Sequence, residues 1–180
     1  MFPKAHAAAY VMMALRVAYC KVHYPLEYYT AYFSIRADGF DYSTMCLGRE
    51  TLNRHLENYR RNKDRLSDKE KLTLRDMRLV EEMYARGFEF IPIDLYQAKA
   101  THFRIIDGKI MPSFISISGL GEQAAVSLEE AARQGRFLSR EDLISRSKLS
   151  ATMAETMAEL GILGNMAKSN QLSLEDLFLQ

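Results

Sequence analysis

Residues 114–125 read Phe114-Ile115-Ser116-Ile117-Ser118-Gly119-Leu120-Gly121-Glu122-Gln123-Ala124-Ala125. The chemistry of this stretch is that of a tight turn opening a helix. Gly119 supplies the positive φ that such a turn needs. Gly121 has no side chain to keep a ligand away from the backbone. Ile117 and Leu120 anchor the turn, and Ala124 and Ala125 let the new helix pack closely. The free N–H groups of the first helical turn then point outward, and the helix dipole favours an anion there. Glu122 suits a helix N-terminus but repels a phosphate, which lowers the expected affinity. The plainer reading is an ordinary glycine-containing turn at the head of a helix.

The pattern resembles a helix-hairpin-helix DNA-binding motif, which holds a DNA phosphate without reading sequence. A second, degenerate unit follows: Leu138-Ser139-Arg140-Glu141-Asp142-Leu143, then Lys148-Leu149-Ser150 and a helix over about 151–160. Ser139 and Ser150 are expected N-caps, and Gly161 is expected to close the last helix. Arg133, Arg136, Arg140, Arg146 and Lys148 add local positive charge. Singly each reads as a solvated surface residue; together they read as DNA backbone contacts. The candidate DNA-binding set is Ser118, Gly119, Leu120, Gly121, Gln123, Arg133, Arg136, Arg140 and Lys148. Lyase-type DNA glycosylases share this hairpin but carry a catalytic lysine two residues after its second glycine. Gln123 stands there, which excludes that chemistry.

Upstream, the first 29 residues are apolar nearly all round: Ala5, Ala7, Ala8, Ala9, Val11, Met12, Met13, Ala14, Leu15, Val17 and Ala18. A helix apolar on every face is expected to be buried in something larger. It is predicted over about 5–24, stopped by Pro25, with a second helix over 26–35. Asp38-Gly39 marks a turn. Asp41 or Ser43 is expected to cap a third helix reaching about residue 61. Asp68 is expected to cap a fourth that ends at Gly87. Strand-like runs follow at 90–94, 101–106 and 109–111, the last two joined by Asp107-Gly108, a strong hairpin signal. The fold class is therefore mainly α with a small β connection: a helical segment (1–87), a short β connection (88–113), a hairpin module (114–164) and a tail (165–180).

Composition narrows the class without naming a partner. The 180 residues are 48% hydrophobic and 26% charged, a globular balance, and the net charge of +1 singles out no polyanion. Cys20 and Cys46 have no paired spacing, which fits a reducing cytoplasmic setting. Four scattered histidines give no metal pattern, so no metal site and no catalytic residue is expected. Lys4 with the alanine run imitates a signal peptide, but His6, Arg16 and Lys21 interrupt it and no cleavage site follows. Arg16 also breaks any membrane span.

Phe2-Pro3-Lys4-Ala5-His6-Ala7-Ala8-Ala9-Tyr10 closely resembles a fingers signature of bacterial replicative DNA polymerase III alpha subunits. Lys21-Val22-His23-Tyr24-Pro25-Leu26-Glu27-Tyr28-Tyr29 and Ala31-Tyr32-Phe33-Ser34-Ile35-Arg36-Ala37 extend it. Arg86-Gly87-Phe88, Ile93-Asp94-Leu95-Tyr96, the 117–121 turn, residues 135–143 and Asn170-Gln171-Leu172-Ser173-Leu174 follow in the order of the PolC type. The resemblance covers nearly the whole chain. It implies the C-terminal end of such an enzyme: the last part of the fingers, then the hairpin module. It also implies that the parent joins deoxynucleotides to a primer with Mg2+ held by palm carboxylates, and no acidic cluster here resembles that palm. The chain alone is expected to be inactive. Lys4, His6 and Tyr10 become candidates for the incoming dNTP, the alternative being that His6 and Tyr10 only pack against other parts of the enzyme. Gln171, Leu172, Leu174, Leu177 and Phe178 become candidates for sliding-clamp binding. The family has Phe directly after the second leucine, whereas Glu175-Asp176-Leu177 intervene here. The implied partners are duplex primer-template DNA, dNTP in the intact enzyme and the clamp, with no membrane. The alternative is a free-standing, non-catalytic DNA- and clamp-binding module.

Overall fold

A computed structural model describes residues 3–62 and 65–169. Among them are eight α-helices and one small antiparallel sheet, the mainly α architecture expected from the sequence. Helix α1 (Lys4–His23) starts after Pro3 and ends at Tyr24, whose φ of −132° is off the helix. Pro25 disfavours helical backbone in the residue before it and opens α2 (Pro25–Ile35) at its first position. Asp41 caps the short α3 (Tyr42–Met45), its carboxylate accepting from the Thr44 N–H at 2.9 Å. The single helix expected up to residue 61 is two: Gly48, at φ 101°, breaks the chain before α4 (Arg49–Arg61). Helix α5 (Asp68–Ala85) is capped by Ser67 rather than Asp68, in a capping box with Glu70.

Helix α5 ends in a Schellman motif. Gly87 takes φ 84° and donates to the Tyr84 carbonyl, and Phe88 donates to the Met83 carbonyl. Strands β1 (Arg104–Ile106) and β2 (Lys109–Met111) pair with Ile105 opposite Ile110. Asp107 and Gly108 both have positive φ, the requirement of a type I′ turn. The run at 90–94 forms no strand, only a bridge between Phe90 and Ile110, because Pro92 cannot donate to a ladder. Of 101–106, only the last three residues are strand. Phe103 instead turns into the core, its N–H bonded to Ser34 Oγ at 2.9 Å. After a 3-10 turn (Phe114–Ser116) come α6 (Glu122–Arg133), α7 (Arg140–Ser147) and α8 (Ala151–Glu159).

Two apolar cores result. Tyr29, Phe33, Leu52, Leu56, Met77 and Met83 build the first from α2, α4 and α5. Phe114, Ile117, Leu128, Leu143, Leu149 and Met157 build the second around α6, α7 and α8. Strand β2 divides them: its successive residues Ile110 and Met111 point to opposite faces and enter different cores. Helix α1 belongs to neither. None of its residues is buried within this chain, and Tyr10, Leu15 and Val22 are each more than half exposed.

Candidate nucleic-acid interface

The turn at 117–121 is fixed from inside. Ile117 and Leu120 are buried in the second core, and the Leu120 N–H donates to the Ile117 carbonyl at 3.1 Å. Leu120 thus holds the turn and offers no side chain to a ligand. Gly119 between them takes φ 84°, and a Cβ there would lie 3.3 Å from Met153 Cε. Gly121 is the N-cap of α6 with φ −72° and ψ 157°, and no side chain caps that end. A Cβ at Gly121 would meet nothing within 4 Å. The first-turn amides of α6, including that of Gln123, therefore face open space, with exposed Ser118 and Gly119 beside them.

The second unit repeats this order of conformations. Lys148 is left-handed at φ 57°, Leu149 is buried, and Ser150 is the extended N-cap of α8. Its end differs in chemistry: Ser150 Oγ accepts from the Met153 N–H at 3.1 Å, so the amide array is partly used internally. What remains for a ligand is the exposed Lys148 side chain. Met153, in the first turn of α8, is the residue against Gly119, so both turns sit at the same end of the module.

The arginines are not gathered there. Arg133 ends α6, about 18 Å from Gly121 by helix rise, and pairs with Glu129. Arg136 lies 5.5 Å over the Tyr96 ring. Arg140, in the first turn of α7, pairs with Glu155 at 3.1 Å. Arg146 has a structural task that the sequence did not reveal. Its guanidinium donates to the carbonyls of Ala131, Gly135 and Arg136, pairs with Asp142 at 3.3 Å and lies 4.5 Å over Phe137. It thereby closes the C-terminal end of α6. Glu129 was also missed. It accepts from the Ala100 N–H at 2.6 Å and pairs with Lys99 at 3.0 Å, tying the 99–100 loop to α6. Burial pushes its carboxyl up, but the Ala100 N–H, Lys99 and Arg133 outweigh that and hold it below the usual range.

At the other end of the molecule, Lys4, His6 and Tyr10 are all exposed on α1. The His6 and Tyr10 rings meet edge to face at 4.5 Å. Lys4 starts the helix about 200° around the axis from His6, so the three share an end but not a face. A cluster ties down the last turn of α1. Lys21 pairs with Glu82 at 2.7 Å, the Tyr29 hydroxyl donates to Glu82 at 2.8 Å, and Arg86 donates to the Lys21 carbonyl at 3.0 Å. Burial, opposed by Arg86 and reinforced by Glu82, pushes the Tyr29 hydroxyl up to about 12. The clamp-binding candidates Gln171, Leu172, Leu174, Leu177 and Phe178 lie outside the described residues. Among the described residues, no three or more His, Cys, Asp or Glu side chains form a group that could hold a metal ion, and no helix is long and apolar enough to cross a membrane.

The paired turns and their helices define a class: a mainly helical protein with a helix-hairpin-helix module. The family described as a helix-hairpin-helix motif matches residues 87–172. Similarity to longer proteins is specific. Over 178 residues the chain is 51% identical to the DNA polymerase III PolC-type of Streptococcus pneumoniae, covering 98% of this chain and 12% of that relative. It is 48% identical over 180 residues to the same protein of Streptococcus thermophilus and 50% identical over 181 residues to that of Streptococcus suis, each covering 99% of this chain and 12% of the relative. Over nearly its full length the chain belongs with the PolC-type DNA polymerase III sequences, and it spans 12% of the length of these relatives.

Proposed function

We propose that this chain is the C-terminal part of a PolC-type replicative DNA polymerase, holding duplex DNA through its hairpin module during replication. The observation that carries this reading is the open, uncapped N-terminus of α6 at Gly121, in a chain 51% identical to such a polymerase. A phosphate accepts the first-turn amides there and is favoured by the helix dipole. Lys148 supplies one charge to a neighbouring phosphate from the second turn. Both contacts are to the backbone, so binding is independent of sequence.

Within the intact enzyme, the exposed N-terminal end of α1 offers Lys4, His6 and Tyr10 to the incoming dNTP. The residues 171–178 serve as the attachment to the sliding clamp. Nucleotidyl transfer uses Mg2+ ions that polarise the reacting phosphate. On this reading the carboxylates that hold such ions belong to another part of the intact enzyme, and no catalytic step is assigned to this chain, which is inactive alone. Cytoplasmic localisation follows from the same reading.

The test is equilibrium binding of the full chain to short duplexes of unrelated sequence. The expected result is similar affinity for each and a steep loss with added salt. Undetectable duplex binding at low salt would overturn the reading. Co-elution with a sliding clamp, lost on replacing Gln171 and Leu174 by alanine, tests the tail.

A further inference from the structure

Helices α2 and α5 enclose an open cleft of about 640 Å3, away from the hairpin module. Its lining includes Leu66, Leu74 and Leu79. Its two helical walls differ in chemistry. Helix α5 contributes Lys71, Arg75 and Arg78, spaced i, i+4, i+7 along one face. Helix α2 contributes Tyr28 and Tyr32, one turn apart, with ring centroids 6.3 Å apart and planes inclined at 31°. Two tyrosines thus line the same cleft as a row of cations; Lys21 Nζ lies 5.6 Å from the Tyr28 ring centroid, and the Tyr32 hydroxyl donates to Asp76 at 3.4 Å.

The charges are not used up internally. Arg78 makes no ion pair among the described residues. Lys71 pairs at 2.8 Å with Asp68, whose side chain is 97% exposed, and such a surface pair contributes little. Arg75 is the most committed: its Nε donates to Asp76 at 3.0 Å and its guanidinium also reaches the Arg36 carbonyl at 3.0 Å. Asp76 is fully buried and further occupied by the Gly39 N–H at 2.9 Å. Glu82, the acidic residue in the lining, is already bound by Lys21 and Tyr29.

We propose that the α2–α5 cleft is a binding site for single-stranded nucleic acid, with bases on Tyr28 and Tyr32 and phosphates on Lys71, Arg75 and Arg78. Stacking platforms beside a cationic track are what unpaired strands require. A duplex hides its base faces, and an acidic peptide leaves the tyrosine faces unused. The proposal rests on nucleic-acid binding by this chain as proposed above, but it uses a different surface.

The experiment is a fluorescence-anisotropy titration of the full chain with a labelled oligothymidylate of about ten nucleotides and, separately, a short duplex. The double variant Lys71→Gln, Arg78→Gln is expected to lower the slope of log affinity against log salt by about 1.4 for the oligothymidylate. Tyr28→Ala is expected to weaken that binding about tenfold, and Tyr28→Phe, which keeps the ring, to retain it. Thermal melting identifies any variant that has lost its fold, and both polar substitutions lie at exposed positions. Duplex binding is expected to stay unchanged in these variants. Conversely, Gly121→Asp is expected to lose duplex binding and keep oligothymidylate binding. Oligothymidylate affinity unaffected by the double variant, or abolished by Gly121→Asp, would overturn the proposal. So would polyglutamate displacing the oligothymidylate with Tyr28→Ala having no effect, which marks an acidic-polypeptide site. Undetectable duplex binding by the unsubstituted chain, with oligothymidylate binding intact, would overturn the hairpin reading and leave the cleft standing.

Discussion

Lys148 and Gly119 occupy equivalent places in the two turns, yet one is a lysine held at φ 57° and the other a glycine at φ 84°. Left-handed backbone costs a residue with a Cβ about 1–2 kcal/mol. Lys148→Gly is therefore expected to raise stability by about 1 kcal/mol in a denaturant titration. The same change removes one phosphate contact and lowers the salt slope of duplex binding by about 0.9. A stabilised variant with an unchanged slope would show that Lys148 does not touch the duplex. Glu129 makes the opposite kind of prediction. Its carboxyl is held below the usual range, so its contribution is fully present above the ordinary glutamate value, about 4.3, and is lost as pH falls through its lower folded value. Glu129→Ala is expected to cost about 2 kcal/mol at neutral pH. That difference should shrink as pH falls below about 4, which unfolding curves at several pH values will show. Neither Glu129 nor Arg146 could be recognised from the sequence. Arg146 reads singly as a solvated surface residue, because the carbonyls of residues 131, 135 and 136 reach it only after α6 and α7 pack.

The elements whose ends are set by local chemistry were legible. Pro25, Asp41, Ser139, Ser150, Gly87, Gly161 and the Asp107-Gly108 turn all act where the sequence has them act. Ser67 displaces Asp68 as the cap because Glu70 completes the box three residues on. Gly48 lies inside the stretch expected as one helix; an isolated glycine is tolerated within a helix, but its φ of 101° makes it a break here. The strand expected at 90–94 stops at the bridge between Phe90 and Ile110 because Pro92 cannot donate to a ladder. Helix α1 is the instructive case. Its pattern predicts burial, yet all of it lies outside both cores. Most helical stability in proteins comes from packing of a buried face, and no residue of this 20-residue helix is buried. Hydrogen exchange is expected to show amides of α1 before Cys20 exchanging within seconds, while those of α5 around Met77 and Val80 stay protected. Comparable protection in both would mean that α1 is covered, for instance by a second copy of the chain.

At the scale of the molecule, β2 separates a helical half bearing α1 from a hairpin half bearing the open α6 terminus. The sequence places a composition shift after residue 87 and a glycine spacing at 119 and 121 on either side of β2. It could not convey that Arg133 and Arg136 are carried to the far end of α6, since that follows from helix length. The uncapped Gly121 terminus is proposed as the main duplex contact. The direct measurement compares duplex affinity and thermal stability of the full chain with those of Gly121→Asp. A Cβ there meets nothing within 4 Å, and an aspartate caps a helix a few tenths of a kcal/mol better than glycine. It also fills the amide array with its own carboxylate and repels phosphate. Gly121→Asp is expected to be at least as stable as the parent, with duplex binding reduced more than tenfold; equal stability with undiminished binding would overturn that assignment.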